Sequence, residues 1–373
     1  MMKEPVRVLM LFTNMNRGGA ESMVMSYYRN IDRSKVQFDF LVHRSERGAY
    51  EDEIEQLGGR IYRLIPFHPF TFSQYKKLVS KFFNEHPEYQ IIHGHCSELG
   101  YFIYKEAFRR GVPHIITHAH NAHALFDLKW PFRTWFKHRM RKYLTHEFTC
   151  GQEAAVWLFG RELAKQAVLQ RNAIDTQLFK YDEESRDLIR KEFGITEDTL
   201  LIGHVGRFEK QKNHAFLIDV FDRVQALRPQ SRLLLIGGTG YLEGVVRAKV
   251  KEKGLTKKVI FAGTRSDVPQ ILSAMDVFLF PSFMEGMSLS MLEAQCSGLS
   301  CLVSDSIPKE ISVTDLITYF PLEKSADDWA KRLLEVFKGM ADRKDYYQKV
   351  AQSGYDIKKN AEWLQNYYLS LAE

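Results

Sequence analysis

The chain has 373 residues, of which 45% are hydrophobic and 26% are charged. This composition is typical of a soluble globular protein and excludes collagen-like and low-complexity classes, and the length favours two domains. The net charge of +6 is unevenly distributed, because residues 1–171 carry +8 and the remainder carries −2. This imbalance predicts an anionic partner for the first half. A membrane face, an anionic lipid-linked substrate and nucleic acid are all open as that partner.

Short apolar runs alternate with amphipathic stretches in the first half. The predicted strands, rich in β-branched and aromatic residues, are 6–12, 38–43, 61–65, 90–95 and 114–120. The first of them, VRVLMLF, is too short for a signal peptide and lacks a cleavage pattern, and no segment approaches the roughly eighteen apolar residues of a spanning helix. The alternation predicts βαβ units and a parallel sheet.

The second half repeats this pattern. Its predicted strands are 200–206, 232–238, 258–263, 277–282 and 300–305. A polar, turn-like segment at 170–187 predicts the domain boundary, and the last predicted helix, within 354–373, has Trp363 and Tyr367 one turn apart. We therefore expect an α/β protein of two doubly wound domains, one comprising 1–172 with the C-terminal helix from about 355 to 373, and the other comprising 173–354.

Redox and metal chemistry have little support in the sequence. The four cysteines form no CxxC pair, which predicts buried, reduced thiols in a cytoplasmic protein; they are Cys96, Cys150, Cys296 and Cys301. No D-x-D arrangement follows a predicted strand, so we expect no divalent metal. A histidine group at 114–123 keeps a zinc site open as an alternative, although no cysteine or carboxylate cluster joins it.

Ligands bind beyond the carboxyl ends of parallel strands, so the segments after strands are the candidate sites. After the first strand, Gly18 and Gly19 remove side chains where the chain enters a helix, which lets an anionic group approach the backbone. The segment fits neither GxGxxG nor a P-loop. After residue 206, Arg207 and Lys212 stand in a polar loop where two cations can converge on one diphosphate. The alternative for the glycine pair is a turn shaped only by packing, and the alternative for the loop with Arg207 and Lys212 is a solvated surface loop.

The segment PSFMEGMSLSMLEAQCSG, residues 281–298, has two glutamates eight positions apart. It predicts a strand end followed by a helix, with Glu285 before the helix and Glu293 two turns inside it. Backbone N–H groups around Met287, Ser288 and Leu289 begin the helix and can bind phosphate. Glu293 can accept hydrogen bonds from two ribose hydroxyls, and Glu285 can accept hydrogen bonds from sugar hydroxyls. The alternative is that both glutamates are merely solvated.

These residues resemble the E-x7-E signature of retaining glycosyltransferase family 4, which has the GT-B fold. The resemblance spans nearly the whole chain in the family's order and spacing, and it is most similar to capsular and exopolysaccharide enzymes. Its segments are GGAE at 18–21, IDTQLF at 174–179, Arg207 with Lys212, VIFAGTRSDV at 259–268, and Glu285-Gly286 with Glu293-Ala294. It implies two Rossmann-like domains facing a central cleft, with the C-terminal helix crossing back to the first domain.

The resemblance also implies roles for individual residues. Arg207 and Lys212 would hold the donor diphosphate, and Glu293 its ribose. Glu285, with the backbone of Gly286, Met287 and Ser288, would grip the transferred sugar. The remaining donor contacts implied are Gly18, Gly19, Leu289, Arg265 beside the base and Val268 beneath it. The anomeric configuration would be retained, with no metal and no cofactor beyond the nucleotide-sugar co-substrate, which is expected to be a UDP-sugar.

A histidine at the end of the strand 114–120 is also implied to lie near the sugar. His120 fits this role best and His118 second, as a contact to a sugar hydroxyl rather than as a nucleophile. His118 and His120 lie on one side of the strand, as does His114. A core-packed histidine is the alternative, and HGH at 93–95 is interpreted as structural.

Residues 129–144 combine aromatic and basic side chains and predict an anionic membrane surface as a partner. A helix whose aromatic residues face the core is the alternative, and nucleic acid has no supporting fold signature. We expect a cytoplasmic glycosyltransferase that acts on a saccharide or lipid-linked saccharide, with peripheral attachment to the inner face of the cell membrane left open. A nucleotide-sugar epimerase of the same fold and a non-catalytic sugar-nucleotide or membrane-binding subunit are the alternative functions.

Overall fold

The structure, a computed structural model, describes residues 4–120, 130–238, 240–338 and 342–373. The chain folds as two compact units, Met1–Ala173 with Ile357–Glu373, and Ile174–Asp356. These bounds lie within two residues of the division expected at 172/173 and about 355. The binding of an acceptor by the first unit and of a donor by the second stays a prediction.

The first unit contains a seven-stranded sheet in which all neighbours pair in parallel. Its strands are β1 Val6–Phe12, β2 Val36–Val42, β3 Ile61–Arg63, β4 Ile91–Gly94, β5 His114–Ala119, β6 His146–Thr149 and β7 Val168–Leu169. Their order is β3-β2-β1-β4-β5-β6-β7. Helices cover both faces of such a sheet, which is why its central strands are nearly continuous apolar runs.

The helices of the first unit include one that follows the second unit in sequence. They are α1 Gly19–Asn30, α2 Glu51–Gln56, α3 Phe72–Glu85, α4 Tyr101–Arg109, α5 Trp130–Met140, α6 Gln152–Phe159, α7 Arg161–Ala164 and, at the C-terminus, α15 Ile357–Leu371. α15 packs against α1, β1 and β2. The ring centroids of Trp363 and Tyr367 on this helix lie 5.9 Å apart. The bounds and packing of α15 confirm the predicted C-terminal helix and its return to the first unit.

The second unit contains a six-stranded parallel sheet of order β10-β9-β8-β11-β12-β13. Its strands are β8 Leu200–Val205, β9 Ser231–Ile236, β10 Val259–Gly263, β11 Val277–Phe280, β12 Ser300–Ser304 and β13 Ile317–Phe320. Its helices are α8 Glu183–Glu192, α9 His214–Leu227, α10 Glu243–Glu252, α11 Val268–Ala274, α12 Leu289–Cys296, α13 Ala326–Lys338 and α14 Tyr346–Val350. The expected pair of doubly wound sheets is confirmed.

Three strands were not predicted from the sequence: β6, β7 and β13. All three lie at or next to a sheet edge, and β7 has only two residues. β6 has the sequence HEFT and β13 the sequence ITYF, so neither is a run of aliphatic residues. The residues of β13 favour strands individually, but these segments are too short to show a clear pattern, and pairing with a neighbour completes the sheet.

The polar segment at 170–187 is partly helical rather than a linker throughout. α8 begins inside it at Glu183, and the side chain of Asp182 accepts a hydrogen bond from the backbone N–H of Ser185 at 2.7 Å. Asp at this position satisfies one of the free N–H groups of the first helical turn. The acidic residues that made the segment look like a linker are therefore helix-start residues.

The predicted thiol chemistry and the lack of a spanning helix can be compared with the structure. All four cysteines are free and buried, as expected. Burial raises the pKa of Cys96 to about 12 and that of Cys150 to about 11, so these thiols stay protonated near neutral pH. Within the described ranges, the helices are too short or too polar to cross a bilayer.

Asp276 stands immediately before β11 and joins three elements of the second unit. Its carboxylate accepts from Arg186 Nη2 at 2.6 Å and from Arg190 Nη1 at 3.2 Å, both on α8. It also accepts from the backbone N–H of Leu201 in β8 at 2.7 Å. Asp276 is only 5% exposed. This carboxylate therefore fixes the start of β11 beside β8 and anchors α8 there.

We predict that Asp276→Ala destabilises the second unit by about 3–5 kcal/mol, because it leaves the buried guanidinium of Arg190 without a counter-charge and the N–H of Leu201 without its acceptor. Chemical denaturation followed by far-UV circular dichroism measures the change. Asp327→Ala is the matched control, since Asp327 pairs with Arg223 at 3.7 Å and is 61% exposed. It should change stability by less than about 0.5 kcal/mol. Equal effects of the two substitutions would contradict the anchoring role.

Candidate active site

The order of the second sheet creates a switch point between β8 and β11. The sheet continues from β8 through β9 to β10, and from β11 through β12 to β13 in the opposite direction. In open parallel sheets, ligands bind beyond the carboxyl ends of the strands at such a point. The two loops that begin there are residues 206–213 and 281–288, and they contain several of the predicted donor-site residues.

Hydrogen bonds join these two loops to each other. The backbone N–H of Phe283 donates to the carbonyl of Gln211 at 2.9 Å, and Asn213 Nδ2 donates to the carbonyl of Pro281 at 3.1 Å. Asn213 has φ 54°, a left-handed conformation that Asn tolerates better than most residues. It ends a short 3₁₀ turn at Lys210–Lys212, so the loop after β8 is held against the loop after β11.

Lys212 and Glu285 form an ion pair between the two loops. Lys212 Nζ lies 2.9 Å from Glu285 Oε1, and the side chains are 17% and 6% exposed. The same Nζ lies 4.7 Å from the ring centroid of Phe280, the last residue of β11. Oε1 receives no hydrogen bond of acceptable geometry from the described residues, so the pair rests on charge attraction. A carboxylate has about four acceptor positions, so Glu285 keeps capacity for ligand hydroxyls.

Arg207 lies on the same loop but does not join this pair. Its side chain is 61% exposed, and Nη1 lies 3.0 Å from Glu209 Oε1. Such an exposed ion pair contributes little energy and gives way readily to a stronger anion. The expected convergence of Arg207 and Lys212 on one diphosphate therefore stays a prediction.

The loop after β11 leads directly into α12. The helix begins at Leu289, one residue after Ser288, whose hydroxyl lies 3.0 Å from the hydroxyl of Ser290 and does not cap the backbone. The first N–H groups of a helix have no partner within it and attract anions. A Cβ added to Gly286 would meet nothing within 4 Å, so the space beside this glycine is open. Met287 packs partly against the core.

Glu293 lies in the second turn of α12 and is partly buried. Burial raises the pKa of its carboxyl group to about 7, well above the usual range for glutamate. No hydrogen bond reaches this side chain from the described part of the chain. Its ionised form is therefore disfavoured in the free protein, and hydroxyl donors from a ligand would stabilise it.

Arg265 and Val268, predicted to frame a base, lie around the end of β10. Arg265 Nε donates to Asp267 at 2.8 Å, and its two terminal nitrogens donate to Glu192 on α8 at 2.8 and 3.1 Å. The guanidinium is thus already bound by two carboxylates. Val268 is the first residue of α11 and packs against the core of the unit. Their contact with a base stays a prediction.

Three predicted residues, Gly18, Gly19 and His120, belong to the first unit. Gly18 precedes α1 and Gly19 begins it, so the predicted turn into a helix after β1 is present. His120 follows β5, and its Nε2 lies 2.8 Å from Nδ1 of His95. Burial lowers the pKa of His120 to about 4, so its ring is neutral near pH 7. The ring of His118 stacks on it with centroids 4.2 Å apart.

The sequence predicts a structural role for His93 and His95 and does not place them with His118 and His120. β4 and β5 pair in parallel with His93 opposite Ile116, and this register puts the two i, i+2 histidine pairs on one face. The repeated HxH spacing at two consecutive strand ends was the available signal. His123, the last histidine of the group at 114–123 that keeps zinc open as an alternative, lies outside the described residues.

The predicted membrane segment at 129–144 forms α5 and a 3₁₀ turn at Arg141–Tyr143. Lys129 and the side chain of Trp130 lie outside what the structure describes. Arg133 donates to the buried Glu98 at 2.5 Å, and Lys137 to the carbonyl of Trp157 at 3.0 Å, so these two cations serve packing. Phe132 and Trp135 are 69% and 48% exposed. The segment therefore contributes some side chains to packing within the first unit and exposes others to solvent.

Comparison with known proteins adds family information to this geometry. Residues 17–166 match the family described as Glycosyltransferase Family 4, and residues 185–353 match Glycosyl transferases group 1. EpsF of Bacillus subtilis (strain 168) is 34% identical over 372 residues, which cover 97% of this chain and 96% of that protein. The capsular polysaccharide biosynthesis glycosyltransferase CapH of Staphylococcus aureus is 26% identical over 379 residues, covering 98% of this chain and 99% of CapH.

Solved structures share the fold over the whole chain. HepE of Anabaena, in complex with UDP, is similar with a TM-score of 0.80 at 17% identity, covering 98% of this chain and 100% of that one. WaaG, a glycosyltransferase involved in lipopolysaccharide biosynthesis, has a TM-score of 0.68 at 14% identity, with 97% and 99% covered. The chain therefore belongs to glycosyltransferase family 4 and is a glycosyltransferase with the GT-B fold.

Proposed function

We propose that this protein transfers a hexosyl group from a UDP-sugar to a saccharide or lipid-linked saccharide during surface polysaccharide biosynthesis, with retention of the anomeric configuration. The name of CapH, a capsular polysaccharide enzyme, supports the process. Complexes of HepE with UDP and with UDP-glucose support the donor class. The transfer reaction would take place at the cytoplasmic face of the membrane.

The Lys212–Glu285 ion pair carries this proposal. It stands at the switch point of the second sheet, beside the open space at Gly286 and just before the start of α12. A diphosphate bound there would contact a partly buried cation and the first N–H groups of α12 together. The sugar attached to that diphosphate would meet the carboxylate of Glu285, which accepts hydrogen bonds from hydroxyl groups.

The remaining residues complete the proposed donor site. Arg207 would leave its exposed pair with Glu209 and contact the diphosphate in a bidentate manner. Glu293 would accept hydrogen bonds from both ribose hydroxyls. Two positive side chains then offset the diphosphate charge, so we propose that transfer needs no divalent metal at the donor.

The proposed reaction needs positioning and charge stabilisation more than a protein nucleophile. The bond between the anomeric carbon and the diphosphate oxygen breaks, and its electrons leave with UDP. The acceptor hydroxyl forms the new glycosidic bond on the same face of the sugar and passes its proton to a phosphate oxygen of the leaving group. Lys212 and Arg207 would stabilise the negative charge that develops on UDP. His120, neutral near pH 7, would contact a sugar hydroxyl.

A groove in the first unit supports an amphiphilic, anionic acceptor. It has a volume of about 1750 Å³ and is lined by both aromatic and basic side chains, including Phe72, Lys76, Phe102, Lys105, Arg109 and Trp135. Aromatic rings would cover an apolar chain, while lysine and arginine would bind phosphate groups. These features fit a saccharide linked through phosphate to a lipid.

The exposed part of α5 supports contact with a membrane surface. Phe132 and Trp135 project from the helix, and the guanidinium of Arg139 lies 5.3 Å from the ring centroid of Trp135. Aromatic side chains with nearby cations are typical of the lipid headgroup region. We therefore propose that α5 holds the first unit on anionic lipid.

We predict that UDP, rather than GDP or ADP, raises the thermal midpoint of the protein without added metal, and that Lys212→Ala abolishes this shift. Saturation at 100 times the dissociation constant stabilises a protein by about 2.7 kcal/mol, which differential scanning fluorimetry detects. Once an acceptor is identified, Lys212→Ala should lower kcat by about 100-fold or more, because it removes stabilisation of the leaving diphosphate.

Lys210→Ala is the matched control for Lys212→Ala. Lys210 lies two residues away on the same turn and is exposed. It should keep the UDP shift and change kcat less than about twofold. A shift with GDP or ADP alone would contradict the donor class, and equal behaviour of the two variants would contradict the placement of the diphosphate. NMR of the product anomeric proton tests retention.

We predict that Glu293→Gln stabilises the free protein at pH 8 while weakening UDP binding. The raised pKa means that the folded state holds this proton more tightly than the unfolded chain, so stability falls as pH rises from about 4.5 to about 7. A pKa unit is worth about 1.4 kcal/mol, so the substitution should gain on the order of 3 kcal/mol at pH 8 and little at pH 5.

Denaturation at both pH values and UDP titration measure the two effects of Glu293→Gln. Glutamine keeps the shape but accepts fewer hydrogen bonds and carries no charge, so ribose binding should weaken about tenfold. A variant that is less stable at pH 8 would indicate that Glu293 has a structural role. Unchanged UDP affinity would remove Glu293 from the ribose site.

We predict that the double variant Phe132→Ala, Trp135→Ala lowers sedimentation with phosphatidylglycerol vesicles about tenfold, because it removes the apolar part of the contact. Added salt should weaken binding of the unaltered protein, since the basic part of the contact is electrostatic. Leu188→Ala, at a 61% exposed apolar residue of the second unit, should leave sedimentation unchanged. Failure of the unaltered protein to sediment would contradict the membrane proposal.

A further inference from the structure

Four imidazole rings lie together at the ends of β4 and β5 in the first unit. His93 and His95 come from β4 and its end, and His118 and His120 from β5 and its end. Ring centroids are 4.5 Å apart for His93 and His95, 5.2 Å for His95 and His118, and 4.2 Å for His118 and His120. His93 and His118 are fully buried, and His95 is 8% exposed.

Several nitrogens of this histidine cluster have no hydrogen-bond partner within the described residues. They are Nε2 of His93, Nε2 of His95, and both Nδ1 and Nε2 of His118. A buried polar atom without a partner costs about 1–3 kcal/mol, and native proteins contain few of them. One bound group that takes a nitrogen from each of these three histidines would satisfy three of the four atoms.

The Nδ1 atoms of His93 and His95 each have a hydrogen-bond partner, as the second ring nitrogen of a metal-binding histidine commonly does. His93 Nδ1 lies 2.6 Å from the hydroxyl of Tyr368 on α15, and His95 Nδ1 lies 2.8 Å from His120 Nε2. Metal-bound imidazoles commonly donate their second ring N–H to a fixed acceptor, which sets the tautomer and ring orientation. With Nδ1 as the donor in both rings, each Nε2 has a free lone pair.

We propose that His93, His95 and His118 form a binding site for one divalent transition-metal ion, with Tyr368 and His120 orienting two of the ligands. One ligand nitrogen from each of the three residues lies within 4.8 Å of the others. Binding at about 2.0–2.1 Å requires nitrogens roughly 3.3 Å apart, so small ring rotations complete the site.

The ligand set selects the kind of ion. Three imidazoles suit Zn²⁺, Co²⁺, Ni²⁺ or Cu²⁺, whereas Mg²⁺ and Ca²⁺ prefer the oxygen ligands that this set lacks. Three protein ligands leave one tetrahedral position for water or hydroxide, and an anion there offsets part of the ion's charge. The site joins β4, β5 and α15, so the bound ion would brace the C-terminal helix of the first unit.

The metal ligands are distinct from the residues of the proposed donor site, although His120, which orients His95, is also the proposed contact to a sugar hydroxyl. The test of the metal site therefore does not use catalysis. The full-length protein, with any affinity tag removed, is analysed for metals by mass spectrometry, then stripped with a chelator and titrated with Co²⁺. We expect about one equivalent of metal after purification and visible Co²⁺ d–d bands that saturate at one equivalent. Zn²⁺ at 100 times its dissociation constant should raise the thermal midpoint by roughly 5–10 °C.

His118→Leu separates a ligand from a packed core histidine. If His118 is only packed, leucine removes two unpartnered nitrogens and leaves metal content unchanged. If His118 is a ligand, the variant loses the Co²⁺ bands and the Zn²⁺-dependent thermal shift even though it folds. His114→Gln, on the same strand but outside the cluster, should retain both.

Tyr368→Phe tests the orienting role without touching a ligand. Loss of a partner that orients a ligand lowers metal affinity about 10–100-fold, so Co²⁺ should still bind, but more weakly. The proposal is overturned if the protein contains no metal and shows no Co²⁺ bands. It is also overturned if His118→Leu binds metal as the unaltered protein does.

Discussion

The parallel pairing of β8 with β11 determines where the candidate donor residues lie. Val277 pairs with Ile202 and Phe278 with Gly203, so segments more than seventy positions apart in sequence leave the sheet side by side. A Cβ at Gly203 would lie 1.9 Å from Met275 Sδ, so glycine leaves room for the buried Met275 side chain beside this pairing. At the opposite end of the pairing, Asp276 accepts a hydrogen bond from the backbone N–H of Leu201 in β8. The Lys212–Glu285 ion pair is a consequence of this one register.

Several groups around the candidate sites oppose stability in the free protein. Glu293 is buried enough for its pKa to rise to about 7, although deprotonation would improve its binding of hydroxyl donors. The cluster at β4 and β5 holds neutral imidazoles whose nitrogens lack partners. Burial lowers the pKa of His93 to about 3. Groups of this kind are costly where they only pack, and the cost is offset when a ligand supplies the missing contacts.

The two proposed sites both lie at strand ends of parallel sheets, but they bind their ligands through different interactions. At the second sheet, an exposed arginine, a partly buried lysine and the first N–H groups of α12 suit a large anion that must enter and leave. At the first sheet, stacked and buried rings held by Tyr368 suit a small ion that stays bound. The first unit therefore combines a rigid centre with a surface groove of aromatic and basic residues.

The sequence by itself determined the class of fold and the types of residue at the sites. Ten strand runs and the C-terminal helix were recognisable because buried parallel strands are continuous apolar segments. The glutamate pair, the cations after β8 and the glycine turn before α1 follow strand ends, which is where such folds bind ligands. The sequence does not predict the short strands β6 and β13, next to and at a sheet edge, because four residues show too little pattern.

Only the tertiary structure decided which of these residues meet. It pairs Lys212 with Glu285, leaves Arg207 on Glu209, and commits Arg265 to Asp267 and Glu192. It also gathers histidines from β4 and β5 that a one-dimensional pattern treats as separate. The physical reason is that register, burial and side-chain competition depend on contacts between distant segments, and local sequence periodicity contains no information about those contacts.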